Sequence, residues 1–158
     1  MEEMSIRPAT IEDLGLILHH RTAMFSDMGD QDATRLAAMR TSSEAFLRRG
    51  LVDGTYRGWL AATAEGRVVA GGGIAIVPWP GSPEAPEPRR AWVQNIYTEP
   101  EFRNRGIGRQ IMETLVAWCR AEGFHAVSLH ASRFGRPLYE SMGFRQTNEM
   151  RLYLERRD

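Results

Sequence analysis

The chain has 158 residues, 42% of them hydrophobic, enough to bury about two-thirds of its unfolded surface in one core without disulfides or a structural metal. Twenty basic and twenty acidic residues cancel, so the electrostatic footprint that holds nucleic acid or an anionic membrane is missing. Cys119 is the only cysteine, which excludes an intramolecular disulfide and a thiolate-only zinc cluster; the acidic start Met1-Glu2-Glu3-Met4 and the lack of an apolar run near ~20 residues point to a cytoplasmic protein.

Residues 4–7 predict a short first strand, closed by Pro8-Ala9-Thr10. Thr10 is placed to cap a helix in which Ile11, Leu14, Ile17 and Leu18 recur at helical spacing as far as Met24, with His19 and His20 on its surface. The pattern breaks at Ser26-Asp27-Met28-Gly29-Asp30. A second helix follows Asp32, with Leu36, Met39, Phe46 and Leu47 available for burial and Gly50 stopping or bending it.

Residues 59–63 and 68–77 flank the turn dipeptide Glu65-Gly66 and read as an antiparallel hairpin, with Gly71-Gly72-Gly73 predicting close packing or a bulge. Five of the eight prolines fall in 78–88, a long exposed hairpin loop. Residues 91–98 read as a strand, 107–122 as an amphipathic helix and 126–130 as another strand, which implies a parallel pair with a right-handed crossover. Pro137 sits near the start of a short helix over 138–142, Gly143 ends it, and 144–154 supplies closing strands.

Arg103-Asn104-Arg105-Gly106-Ile107-Gly108 lies where a strand ends and a long helix begins, so several backbone N–H groups there have no intrachain partner. Glycine at 106 and 108 lets a phosphate approach the backbone, and Arg103, Arg105 and Arg109 add positive charge. A P-loop does not fit, because no Gly-Lys-Ser/Thr follows; a dinucleotide fingerprint lacks its third glycine.

This turn, preceded by Ile96-Tyr97-Thr98-Glu99-Pro100-Glu101-Phe102 and followed by Leu138-Tyr139-Glu140-Ser141-Met142-Gly143-Phe144, resembles the acyl-CoA motif of the GCN5-related N-acetyltransferase (GNAT) superfamily. The resemblance covers nearly the whole chain. It implies an α+β, three-layer fold over residues 1–158 as a single domain: a mixed, mostly antiparallel central sheet with a splayed parallel strand pair, flanked by helices. It further implies that main-chain groups of Ile96 and Thr98 pair with the pantetheine arm of acetyl-CoA, that a main-chain N–H near Ile96 or Tyr97 stabilises the oxyanion, and that N–H groups from Asn104 through Ile107 and Gly108 to Arg109 hold the pyrophosphate. Tyr139 matches the tyrosine that protonates the departing thiolate, and Ser132 stands where the family often has asparagine.

An amine attacks a thioester only as the free base, so a proton acceptor is required. The resemblance places Trp92 and Gln94 where relatives carry a glutamate or histidine; neither can act as a base, and Gln94 is left as a substrate contact. His130, at the end of its strand, points toward the same cleft and is the candidate acceptor, directly or through water. Phe25, Asp27, Met28 and Asp30 lie in the break that forms a wall of the acceptor pocket, where the carboxylates could hold a cationic substrate. Cys119 is assigned to a buried helix face, so direct transfer without an acyl-enzyme is expected, with no metal. The expected function is therefore transfer of an acetyl group to the primary amine of a small molecule. Its rivals are a catalytically silent acyl-CoA-binding sensor module and a protein or peptide N-acetyltransferase. A homodimer is a possible assembly.

Overall fold

The computed structural model describes residues 3–155. In chain order the elements are β1 (Ser5–Pro8), a 3-10 turn (Ile11–Asp13), α1 (Leu14–Asp27), α2 (Ala33–Asp53), β2 (Tyr56–Ala62), β3 (Val68–Pro78), β4 (Arg89–Thr98), a second 3-10 turn (Pro100–Phe102), α3 (Ile107–Ala121), β5 (Val127–Ser128) and α4 (Arg136–Ser141). The strands form one sheet in the order β1-β2-β3-β4-β5; β4 and β5 are parallel and the other pairings antiparallel.

Each face of the sheet carries its own core. On one side α3 presents Ile107, Ile111, Met112, Leu115 and Cys119, all buried, against Val69, Ile74, Ala91 and Val93. Their spacing keeps them on one stripe, and each large apolar side chain so buried stabilises by roughly 1.5–3 kcal/mol. On the other side α1 and α2 pack Leu14, Ile17, Leu18 and Leu47 around Tyr56 and Ala75. The result is the expected three-layer arrangement with β4 sandwiched in its middle.

Local chemistry fixes the entry to α1. The Thr10 hydroxyl accepts from the Glu12 N–H at 3.3 Å, the Asp13 carboxylate accepts from the Thr10 N–H at 2.8 Å, and Arg7 grips Asp13 through two nitrogens at 2.9 Å. Asp32 caps α2 by accepting from the N–H groups of Thr34 and Arg35. Gly50 does not stop α2, which runs on to Asp53 and closes at Gly54 in the left-handed region, φ 84. A side chain at Gly50 would overlap the Cβ of Tyr56, so this glycine lets the helix lie directly on the start of β2.

Other expectations need correction. Phe46 is half exposed, because α2 covers the sheet with Ser43, Leu47 and Gly50 instead. His20 is not on the surface: α1 turns it inward onto Tyr97, with ring centroids 5.4 Å apart. Burial pushes its pKa down to about 4, and its Nε2 has no hydrogen-bond partner. The strand expected over 126–130 shrinks to Val127–Ser128. No strand forms over 144–154, where Met150, Leu152 and Leu154 are exposed, because a strand needs an edge to pair with and β5 offers two residues. No helix among the described residues is long and apolar enough to cross a membrane.

Candidate active site

The site begins with a defect in β4. Gly71 faces Tyr97, but Gly73 faces Gln94, so two steps on β3 match three on β4 and one residue bulges. Asn95 takes the strain, with φ 61, and is pinned from both sides: its amide donates to the Tyr56 hydroxyl at 2.9 Å while its carbonyl accepts from Arg21 at 2.8 Å. The three glycines of β3 give the room this requires, since side chains at Gly72 and Gly73 would overlap Ile96 and Tyr56. Burial raises the Tyr56 hydroxyl to about 12, so it remains a neutral acceptor and donor.

Just before the bulge, β4 and β5 separate. Their parallel register holds only at Ala91 with Val127 and Trp92 with Ser128, whereas β4 continues to Thr98. Main-chain groups of β4 past Trp92 therefore lack a β5 partner. The gap opens into a cleft of ≈ 1090 Å3 lined by Ile96, Tyr97 and Thr98 on β4, by the turn before α3, and by Ser132, Leu138 and Tyr139 across from them.

The turn has the shape of an anion nest. Asn104 and Gly106 both adopt positive φ, 61 and 79, and no side chain caps the first turn of α3. A Cβ on Gly108 would meet only Leu138 at 3.8 Å, so the space over the helix start is open. Arg103, Asn104, Gly106, Ile107, Gly108 and Arg109 all line the cleft. Arg105 does not: it donates to the Glu101 carbonyl and lies over the Phe102 ring. Arg103 donates to the Thr98 carbonyl at 2.8 Å and to Asp27 at 2.6 Å, tying the end of α1 to the turn, and Arg109 donates to the Ser141 hydroxyl.

Tyr139 is buried to 9% exposure, packs edge-on against Phe144 at 6.0 Å, and has its pKa raised by burial. Ser132 accepts from the Gly135 N–H at 3.0 Å and so organises the entry to α4. His130 lines the cleft with its ring 5.1 Å from Trp92, and its Nε2 is 3.0 Å from Glu149. Cys119 is fully buried and its thiol is pushed up to about 11 by burial, which makes it a packing residue.

At the other end of the cleft, Phe25, Asp27, Met28 and Gln94 belong to its lining. Asp30 lies outside the lining and pairs with Arg35 at 3.1 Å, and Asp27 is already engaged by Arg103. The proline-rich segment between β3 and β4 contributes nothing to the lining; its Glu87 binds His125 behind the sheet edge. Arg21, Asn95 and Arg151 also line the cleft and were missed. Two of them left a signal: Arg21 interrupts the stripe Leu14, Ile17, Leu18, and Asn95 is polar between Val93 and Tyr97 on the inward face of a strand.

A family model described as the acetyltransferase (GNAT) family matches residues 22–144, which include the bulged strand, the glycine turn and Tyr139. The chain belongs to the GNAT family of acetyltransferases. Among solved members, a GCN5-related N-acetyltransferase from Ralstonia eutropha is 38% identical and superposes with a TM-score of 0.91, covering 96% of this chain and 99% of that one. An acetyltransferase from Clostridium acetobutylicum, solved with acetyl-CoA, is 26% identical with a TM-score of 0.86, covering 97% and 96%. A glucosamine 6-phosphate N-acetyltransferase from Trypanosoma brucei brucei is 32% identical over 63 residues, 39% of this GNAT chain; the match spans 43% of that curated relative.

Proposed function

We propose that this GNAT protein transfers an acetyl group from acetyl-CoA to the primary amine of a small molecule by direct attack. One observation carries the reading: main chain from Ile96 to Thr98 that has no β5 partner leads toward an uncapped, glycine-lined turn, with Tyr139 across the cleft. Family membership and the acetyl-CoA held by the Clostridium acetobutylicum structure support the donor. The Trypanosoma brucei brucei relative, whose name describes acetylation of an amino sugar phosphate, supports a small-molecule acceptor.

In this reading the main-chain groups of Ile96 and Thr98 align the pantetheine arm as an added strand, and N–H groups from Asn104 to Arg109 bind the pyrophosphate. The arginines are secondary to the main chain, because Arg103 shares its charge with Asp27. The amine nitrogen attacks the thioester carbonyl carbon; a C–N bond forms and the C–S bond breaks. A main-chain N–H at Ile96 or Tyr97 stabilises the oxyanion. His130 or a water beside it accepts the amine proton, and the Tyr139 hydroxyl gives a proton to the leaving thiolate. Positioning within the cleft supplies the larger part of the acceleration. The chain works as one catalytic domain in the cytoplasm and associates as a homodimer.

A second reading, a silent acyl-CoA sensor, is favoured by one feature: the strand positions before the bulge hold Trp92 and Gln94, and Gln94 is bonded to Arg21. Thiol release from acetyl-CoA, followed with a panel of primary amines, separates the two. Amine-dependent release supports the transferase; coenzyme A binding with no release across the panel supports the sensor, and failure to bind coenzyme A removes both.

A further inference from the structure

Arg21 puts a cation where α1 otherwise buries apolar side chains: Leu14, Ile17 and Leu18 precede it on the same stripe. The guanidinium is fixed rather than mobile. Its Nε donates to Ser43 at 2.8 Å, one terminal nitrogen donates to Gln94 at 3.2 Å and Asn95 at 2.8 Å, and Phe25 lies 5.0 Å away under its plane. All three acceptors are neutral. Its second terminal nitrogen makes no hydrogen bond with the described residues, although that group carries two donors.

The neighbouring cations differ. Arg103 is paired with Asp27, and Arg151 and His130 with Glu149, while Arg109 sits at the turn assigned to the pyrophosphate. No carboxylate among the described residues pairs with Arg21, and burial lowers its pKa with only the Tyr56 phenol acting against that effect. A desolvated charge held by neutral groups beside a cleft lacks the partner that ordinarily compensates it. The acids first considered as receptors for a cationic substrate, Asp27 and Asp30, are themselves neutralised by arginines.

We infer that Arg21 is an anion receptor, and that the amine acetylated by this protein carries a carboxylate or phosphate group that pairs with the free edge of its guanidinium. The inference rests on the acetyltransferase reading above. It sets the charge of the acceptor opposite to that of a polyamine or an aminoglycoside. Ser43, Gln94 and Asn95 hold the fork in place, so the anion meets a receptor whose orientation is fixed before binding.

The test uses the full chain and amines matched in carbon skeleton: ethanolamine against its phosphate ester, and propylamine against β-alanine. The anionic member of at least one pair should show a kcat/KM roughly 10-fold or more higher. Which pair shows it separates phosphate from carboxylate. Arg21→Gln should erase that preference through KM. Gln94→Glu should do the same by giving Arg21 an internal carboxylate, and it keeps the test available if Arg21→Gln does not fold. Coenzyme A affinity should be unmoved in both. Equal or better turnover by the wild type of the amines that lack an anionic group, or a preference that survives both variants, would overturn the inference and leave the transferase reading intact. If no amine is acetylated, that reading fails instead. The inference is then decided by whether propionate or methyl phosphate stabilises the coenzyme A-loaded wild type against heat and not Gln94→Glu.

Discussion

Tyr139 and Gly106 are residues whose surroundings state what they are for. Burial raises the Tyr139 pKa above the ordinary value of 10.0, so the phenol stays protonated throughout the neutral range and is a donor, not a base. On the proposed mechanism Tyr139→Phe should lower kcat by about 100-fold with little change in KM, and it should abolish a basic limb that the wild type shows above pH 10. Unchanged rates across that pH range would make Tyr139 a packing partner of Phe144 and nothing more. Gly106 was legible because its conformation, φ 79, is one that only glycine adopts cheaply, and such residues announce turns. Arg21 left only the signal of a charge interrupting an apolar stripe, and its role was not legible, because an arginine on an amphipathic helix reads as solvated until the neighbouring helix and strand show where its head lies.

At the scale of elements, α1 carries Arg21, Phe25 and Asp27 into the site, so whatever fixes its start fixes the acceptor wall. Asp13 does this: its carboxylate accepts from Thr10 and from both ends of the Arg7 fork, and those hydrogen bonds hold its pKa below the usual value. Asp13→Ala should destabilise the protein by about 2 kcal/mol at pH 7. Because the folded-state pKa is depressed, this contribution is complete above the unfolded value near ~4 and disappears as pH falls through the lower folded one. Urea unfolding at pH 7 and again near pH ~3 should show a wide gap between wild type and variant closing in acid; a gap independent of pH would mean the carboxylate's charge is irrelevant. Thr10 revealed the first helix start from sequence, since a cap is local chemistry. The end of α2 was misplaced because Gly50 answers to Tyr56, a contact across the fold that no window of sequence contains.

For the whole molecule the telling feature is the sheet edge at β5. The order of elements was readable because each helix and strand carried its own periodicity, but residues 144–154 alternate like strands without forming any, since alternation states which face is apolar and not which edge is available. Met150, Leu152 and Leu154 are left 94%, 81% and 91% exposed beside a cleft that Arg151 of the same segment lines. Side chains of this kind gain roughly 1.5–3 kcal/mol each when covered, and a homodimer of the proposed sort would cover them. Sedimentation of the wild type should therefore give a mass that rises from monomer to dimer with concentration. The double variant Met150→Asp, Leu152→Asp should remain monomeric over the same range while unfolding at nearly the wild-type temperature in dilute solution, where the wild type too is a single chain. A wild type that stays monomeric at every concentration would remove the dimer from the proposal, and a double variant that still associates would move the interface elsewhere on the surface.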